Sequence, residues 1–352
     1  MEKNTKKLIR RIRSVAPIRI NDLGGWTDTW FAEYGYVLNI GVYPYVQCEI
    51  QVYKHIEPEY ERIVIVAENY GDRYTLNPDN IVYSKHPLIE AAFDEIGVPD
   101  NIAIEVTIYS SAPGGCSTGT SAAVSVALIG ALDALTPGCL TPNEVAVTAH
   151  RIETNRLHLQ SGIQDQLCSA YGGICFIEMH QYPKASVSKL DIPNALWWEL
   201  ESRTMVIFLG QSHDSSSVHQ QVITRLEGEG KGSPDIERLR QLAIAGKNAL
   251  YERKIDDYGR AMIANTEAQH SLHPHLVGDR AQQVIDIAKR YHASGWKVNG
   301  AGGDGGSVTL LGSANGTTNR AMLEEIEALG NGIRHIPTYF SRYGLRVWEG
   351  EQ

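Results

Sequence analysis

No cysteine pattern organises this chain. Its five cysteines, Cys48, Cys116, Cys139, Cys168 and Cys175, are odd in number, widely spaced and free of a C-x-x-C pair, which argues against a disulfide framework and against structural zinc. The chain also lacks an apolar run of the roughly 18 residues that a membrane span takes, so no membrane partner is expected. Residues 1–13 are basic but run into Ser14-Val15-Ala16-Pro17 with no long apolar core. They read as a solvated tail, not a secretory leader, and a cytoplasmic protein is the simplest expectation. Positive charge is in deficit: 32 Lys and Arg against 41 Asp and Glu leave a net charge of -9. That excludes a broad attraction to nucleic acid and leaves the sign of any single pocket open. Internal repeats, heptad runs and low-complexity tracts are missing as well, so most of the chain should fold.

At 352 residues the chain exceeds the usual size of one hydrophobic core, and two lobes are expected. Residues 37–52, 62–67 and 102–108 have strand character, the last alternating Ile102, Ile104, Val106 and Ile108. After Ser121 comes a run of small and apolar residues that suits a helix packed on several sides. Thr141-Pro142-Asn143-Glu144 offers an N-cap, a proline at the first helical position and a capping-box glutamate, which predicts a second helix running to about His158. Residues 181–194 read as irregular, and the lobe boundary is placed there, dividing 1–190 from 191–352. The second half carries helical patterns over 235–251, 256–270 and 280–294, and strand patterns over 205–209, 296–299 and 307–311.

Two glycine-rich loops stand out. Pro113-Gly114-Gly115-Cys116-Ser117-Thr118-Gly119-Thr120-Ser121 lies between the alternating strand and the small-residue helix, where unpaired N–H groups and the positive helix end suit a phosphate. A plain turn in which Thr120 or Ser121 caps the helix accounts for the same composition. The second, Gly300-Ala301-Gly302-Gly303-Asp304-Gly305-Gly306, spells G-x-G-x-x-G, but a strand pattern follows it where a dinucleotide site needs a helix. A strand-loop-strand turn remains, glycine-rich enough for close approach to a ligand or to the first loop. Neither loop is a P-loop, and no H-R-D or D-F-G stands where a protein kinase would need it.

Phosphoryl transfer needs neutralised phosphates and a positioned acceptor hydroxyl. Two carboxylates follow the first loop. Glu153 lies on the helix that starts at Pro142, and from spacing alone it reads as a solvent-facing partner of Arg156. Asp165 sits in a polar turn followed at once by apolar Leu167 and Cys168. His270, His273 and His275 lack a recognisable zinc spacing.

Taken in order, three segments resemble the motifs of the galactokinase, homoserine kinase, mevalonate kinase and phosphomevalonate kinase (GHMP) family. Residues 16–28 resemble the first, in which a basic residue faces the transferred phosphate and the last aspartate helps hold a sugar; Arg19 and Asp28 stand at those places, with Gly25 and Trp26 beside the substrate. Residues 113–123 resemble the second, P-x-G-S-G-L-G-S-S-A-A, with Cys116, Ser117 and Thr118 in place of Ser-Gly-Leu. It cradles the ATP phosphates and offers its last serine, here Ser121, to magnesium. Residues 297–306 resemble the third, K-x-x-G-A-G-G-G-G, which borders the active site from the second lobe; Gly302 and Gly303 are its substrate-side positions, and Asp304 replaces a glycine. By the same resemblance Glu153 takes the place of the magnesium-binding glutamate and Asp165 that of the catalytic aspartate.

The resemblance implies ATP and Mg2+ as cofactors. It also implies an α+β, two-lobed fold, with a ribosomal-protein-like N-terminal lobe, a ferredoxin-like C-terminal lobe, and ATP and substrate between them. Galactokinases have Glu-His where this chain has Gly25-Trp26, which disfavours galactose. The Gly-Gly-Trp-Thr-Asp-Thr run most resembles L-fucokinase kinase domains, and the segment 164–178 resembles D-glycero-D-manno-heptose 7-phosphate kinases. Both phosphorylate an anomeric hydroxyl, so a free sugar and a sugar phosphate both stay open as the small-molecule partner, and a homodimer is left open too. An ATP-dependent decarboxylase or other non-sugar kinase on this fold, and a silent ATP- and sugar-binding sensor, are the rival readings.

Overall fold

The computed structural model describes residues 7–54, 61–212 and 216–350. Leu8–Leu23 (β1) and Gly35–Lys54 (β2) pair antiparallel along most of their length. Ile12, Ser14 and Ala16 alternate onto one buried face of β1. The expected solvated tail is corrected from Leu8 onward, because the basic residues are strand positions with partners. Arg10 pairs with Glu349, and Arg11 and Arg13 both pair with Glu49.

Ile63–Ala67 (β3), Asp72–Leu76 (β4) and Ile102–Ser110 (β5) widen this sheet, β3 running parallel to β5 and the other pairs antiparallel. Ile174–Gln181 (β6) pairs with the first residues of β2, and Lys184–Lys189 (β7) folds back on β6. β7 falls in the stretch read as irregular. Its alternation rests on two small residues, Ala185 and Val187, half-buried between exposed polar ones, a signal too short to mark a strand.

The sheet is covered by Pro87–Ile96 (α1), Thr120–Asp133 (α2), Pro142–Arg151 (α3) and Gln164–Tyr171 (α4). Small residues let α2 pack on every side: Ala122, Ala123, Val126 and Ala127 are all buried, and Ser14 on β1 donates a 2.7 Å hydrogen bond to the Ala127 carbonyl. The predicted capping box of α3 is present, with Glu144 accepting from the Thr141 N–H at 2.8 Å. The α-helix ends sooner than expected and passes into a π turn over residues 152–156, where the Leu157 N–H reaches back to the Ile152 carbonyl.

Asn194–Arg203 (α5) leads into a second sheet of Thr204–Leu209 (β8), Gly295–Val298 (β9), Ser307–Leu311 (β10) and Ile333–Ile336 (β11), all antiparallel in the order β11-β8-β10-β9. Between β8 and β9 run Ser216–Glu229 (α6), Pro234–Tyr251 (α7), Ile255–Leu272 (α8) and Asp279–Arg290 (α9); Gly316–Glu327 (α10) precedes β11. The core of this lobe joins Ile207, Val308 and Leu310 to Val284 of α9 and Met322 of α10. α7 packs on β2 and α8 on β9, so the helix pair binds the two sheets together. A third cluster joins Trp26 and Phe31 to Ile223, Leu226, Leu239 and Leu272 of α6, α7 and α8.

Tyr339–Phe340 (β12) and Arg346–Glu349 (β13) then return to the first sheet, β12 beside β2 and β13 beside β1. The expected second domain, 191–352, therefore contributes its last strands to the first lobe. No helix among the described residues is long and apolar enough to cross a membrane.

Candidate active site

The two glycine loops meet. Gly119 has φ +68° and hands the chain to α2, whose N-terminus carries no side-chain cap, so the capping alternative for Thr120 and Ser121 falls away. The N–H groups of its first turn are left for a ligand. Across the gap the Ser307 hydroxyl donates to the Cys116 carbonyl at 2.7 Å. A methyl group on Gly306 (φ +85°) would lie 2.5 Å from Ser117 Oγ, so the second loop needs glycine to come this close.

Residues 113–121 line a cleft of about 900 Å³. Asn69, Tyr70, Lys85 and His86, which the motifs did not reveal, line it as well. The carboxylate of buried Glu90 accepts the backbone N–H groups of Ser84, Lys85 and His86, and Asp72 ties down the Lys85 and His86 side chains at 3.0 and 2.9 Å. A second cavity of about 180 Å³ lies beside Trp26 and Asp28. Arg19, Asp165, His219, Gly300 and Ala301 line both.

Arg19 is buried on β1, and Asp165 stands in the first turn of α4. Arg19 Nε donates to Asp165 Oδ1 at 2.7 Å and one Nη donates to Oδ2 at 3.1 Å, a bidentate pair. The other Nη donates to the Ser117 carbonyl. Burial works against the guanidinium charge, but Asp165 and Asp22 outweigh it and raise the Arg19 pKa.

Asp28 is buried beneath the segment 160–164. Its Oδ2 accepts the Gln164 N–H at 3.0 Å, and burial pushes its pKa up to about 6 against that bond. Glu153, on the π turn, is buried and not solvent-facing; Arg156 pairs instead with Asp94 and Glu95. Its Oε2 accepts from the Ser161 hydroxyl at 2.6 Å, while its Oε1 is buried with no partner. Burial pushes Glu153 up to about 7, with the Ser161 bond opposing and the Asp165 charge adding.

The remaining site residues are placed unevenly. Trp26 lines the small cavity and Ser121 is exposed in the large one, whereas Gly25, Glu153, Gly302 and Gly303 line neither. Gly302 (φ +78°) instead packs on the Leu276 carbonyl, where an added methyl would come within 2.0 Å, and its neighbours Gly300 and Ala301 face the cavities. Asp304 also lines neither cavity. Sequence reasoning missed Trp30, Phe31 and His219, although two aromatics just past the first motif were a visible signal. Among the described residues no three His, Cys, Asp or Glu side chains gather into a metal site, His270, His273 and His275 included.

Residues 80–173 match the N-terminal domain of the GHMP kinases. The chain is 27% identical over 322 residues to the bifunctional fucokinase/GDP-fucose pyrophosphorylase of Arabidopsis thaliana, covering 86% of this chain but only 30% of that much longer protein. It is 25% identical over 310 residues to the D-glycero-alpha-D-manno-heptose 7-phosphate kinase of Campylobacter jejuni, covering 84% of this chain and 88% of the relative. The crystal structure of a D-glycero-D-manno-heptose 1-phosphate kinase from Bacteroides thetaiotaomicron superposes with a TM-score of 0.75 at 21% identity, over 97% of this chain and all of that one. The chain therefore carries a GHMP-kinase N-terminal domain over residues 80–173 and shares the α+β fold of the heptose kinase structure along nearly its whole length.

Proposed function

We propose that this protein is an ATP-dependent sugar kinase that moves the γ-phosphoryl group of ATP onto a sugar hydroxyl, the anomeric one by its resemblance to fucokinases and heptose kinases. One observation carries the reading. The large cleft beside the uncapped start of α2 and the small cavity beside Asp28 share Arg19 and Asp165 as a common wall. A group crossing from one to the other passes a paired base and cation.

The residues present fit a magnesium-nucleotide. Gly114 faces open space on the loop before the uncapped start of α2, which leaves backbone there accessible to a polyphosphate, and the Oε1 of buried Glu153 is a carboxylate oxygen without a hydrogen-bond partner. Magnesium is commonly held by one or two protein groups together with phosphates; Ser121, exposed in the large cleft, would be one such group, whereas Glu153, the other that the family resemblance names, lines neither cavity. When bound, magnesium neutralises phosphate charge.

The chain's own groups would do the rest. Asp165 accepts the proton of the attacking hydroxyl, and its bidentate pairing with Arg19 fixes the carboxylate plane. Each Nη of Arg19 has one N–H engaged and one left to meet negative charge on the moving group. Asp28 orients the sugar by accepting from its hydroxyls. Asp304, the carboxylate that would have favoured a silent sensor by repelling the nucleotide, lines neither cavity.

The test is ADP release with magnesium-ATP across L-fucose, D-mannose, D-galactose, heptose 7-phosphate and mevalonate, alongside Asp165→Asn. A sugar should support turnover, and the variant should lose about 100-fold or more while binding nucleotide normally. Turnover with mevalonate alone, or with nothing in the panel, would sink the sugar-kinase reading; an unimpaired variant would remove Asp165 from its role.

A further inference from the structure

The small cavity has walls of two chemical kinds. One is apolar: Trp26, Trp30, Phe31 and Ile223, with the His219 ring packed 4.7 Å from the Trp26 ring. The other is anionic, formed by Asp22, Asp28 and Asp165. Among the described residues lining it, Arg19 is the sole lysine or arginine, and its guanidinium is engaged by Asp165. Asp22 is matched by the buried Nζ of Lys297 at 3.3 Å. Asp28 accepts the Gln164 backbone N–H and side-chain amide, which are neutral, so the balance of fixed charge around the cavity is negative.

A second feature asks for a ligand. The indole Nε1 of Trp26 is buried with no acceptor, although the residue is 8% exposed and lines this cavity. An indole N–H only donates and a carboxylate only accepts. The loop carrying Trp26 and Asp28 therefore offers a buried donor and a buried acceptor two positions apart. A sugar hydroxyl satisfies both kinds of group, and the C–H face of a sugar ring covers aromatic carbon. A phosphate dianion can only accept, and here it would face carboxylates whose neighbouring cations are already paired.

We infer that the acceptor is a neutral sugar carrying no phosphate of its own, with Trp26 Nε1 donating to one of its oxygens and Asp28 accepting from one of its hydroxyls. This rests on the kinase reading, in that the small cavity is taken as the acceptor site. It separates the two substrate classes that the sequence relatives span.

The experiment is calorimetric binding to the protein loaded with magnesium and a non-hydrolysable ATP analogue, so that affinity is read without turnover. The probes are L-fucose and three matched pairs: D-mannose, D-galactose and D-glycero-D-manno-heptose, each with and without a phosphate on its terminal carbon. The neutral member of the best pair, or L-fucose, should bind at least about tenfold more tightly than any phosphorylated probe. Trp26→Phe, which keeps a ring and loses the N–H, should weaken it by roughly tenfold with nucleotide affinity unchanged, which also shows that the variant is folded. A phosphorylated probe binding as tightly as its neutral partner, or no neutral sugar binding, overturns the inference. ADP release from ATP is scored separately. Release with a phosphorylated sugar alone would leave the kinase reading standing and remove this inference, whereas tight neutral-sugar binding without release would do the reverse.

Discussion

Asp22 on β1 and Lys297 on β9 form an ion pair 3.3 Å long in which each side chain is 1% exposed. The same Asp22 Oδ1 accepts the Gly300 N–H at 3.1 Å, so the first lobe, the second lobe and the start of the second glycine loop converge on one carboxylate. Lys297 also donates to Gln269 Oε1 on α8 at 3.1 Å. Burial lowers the Lys297 pKa while Asp22 opposes it.

Removing one member of such a pair strands the other in a dry interior, at a cost of about 3–5 kcal/mol. Lys297→Met should therefore lower the urea midpoint sharply. Combining it with Asp22→Asn should recover much of that loss, because neither charge is then left alone. If the double variant is as unstable as the single one, the stranded charge is not the cause.

The carboxyls of Asp28 and Glu153 give the protein a predictable pH response. Folding raises them to about 6 and about 7, so the native state holds their protons where the unfolded chain has released them. Their contribution to stability is full below the unfolded values near pH 4, and it is lost as pH rises through about 6 and about 7. Each group adds a slope of up to about 1.4 kcal/mol per pH unit inside its window. Glu153→Gln should flatten the upper part of the decline in urea midpoint between pH 5 and 8 (about that range). Superimposable profiles for the two proteins would show that Glu153 does not titrate there.

Two glycines allow the roles proposed for Asp28 and Asp165 to be tested apart. A methyl on Gly162 would lie 2.1 Å from Asp28 Oδ2, and one on Gly119, where φ is +68°, would lie 3.1 Å from Asp165 Oδ2. Gly162→Ala should displace Asp28, raising the KM for sugar by roughly tenfold with nucleotide affinity intact. Gly119→Ala adds about 1–2 kcal/mol of left-handed strain and crowds Asp165, so kcat should fall first. Steady-state kinetics of the two variants checks this. Equal effects on both constants in both variants would contradict the division.

How much of this was readable beforehand depended on the physics of each element. The small-residue run of α2 and the Thr141 to Glu144 cap are local signals, and both formed as expected. β1 was hidden because its arginines look like a solvated tail until Glu49 and Glu349 are brought beside them from elsewhere in the chain. Glu153 was misread by helical spacing because a π turn, not an α-helix, sets its direction. Trp30 and His219 line one cavity because α6 packs over the first motif, an arrangement of residues far apart in sequence.

The return of β13 to the outer edge of β1 constrains the order in which the molecule can be assembled. Ile12 to Val15 find their partners in residues 346–349, so a nascent chain emerging from the ribosome exposes that edge of β1 until nearly 350 residues have been made. An open strand edge is a template for pairing with another chain. Charged side chains blunt such an edge, and Arg10, Arg11 and Arg13, tied up in ion pairs in the finished protein, stand along this strand.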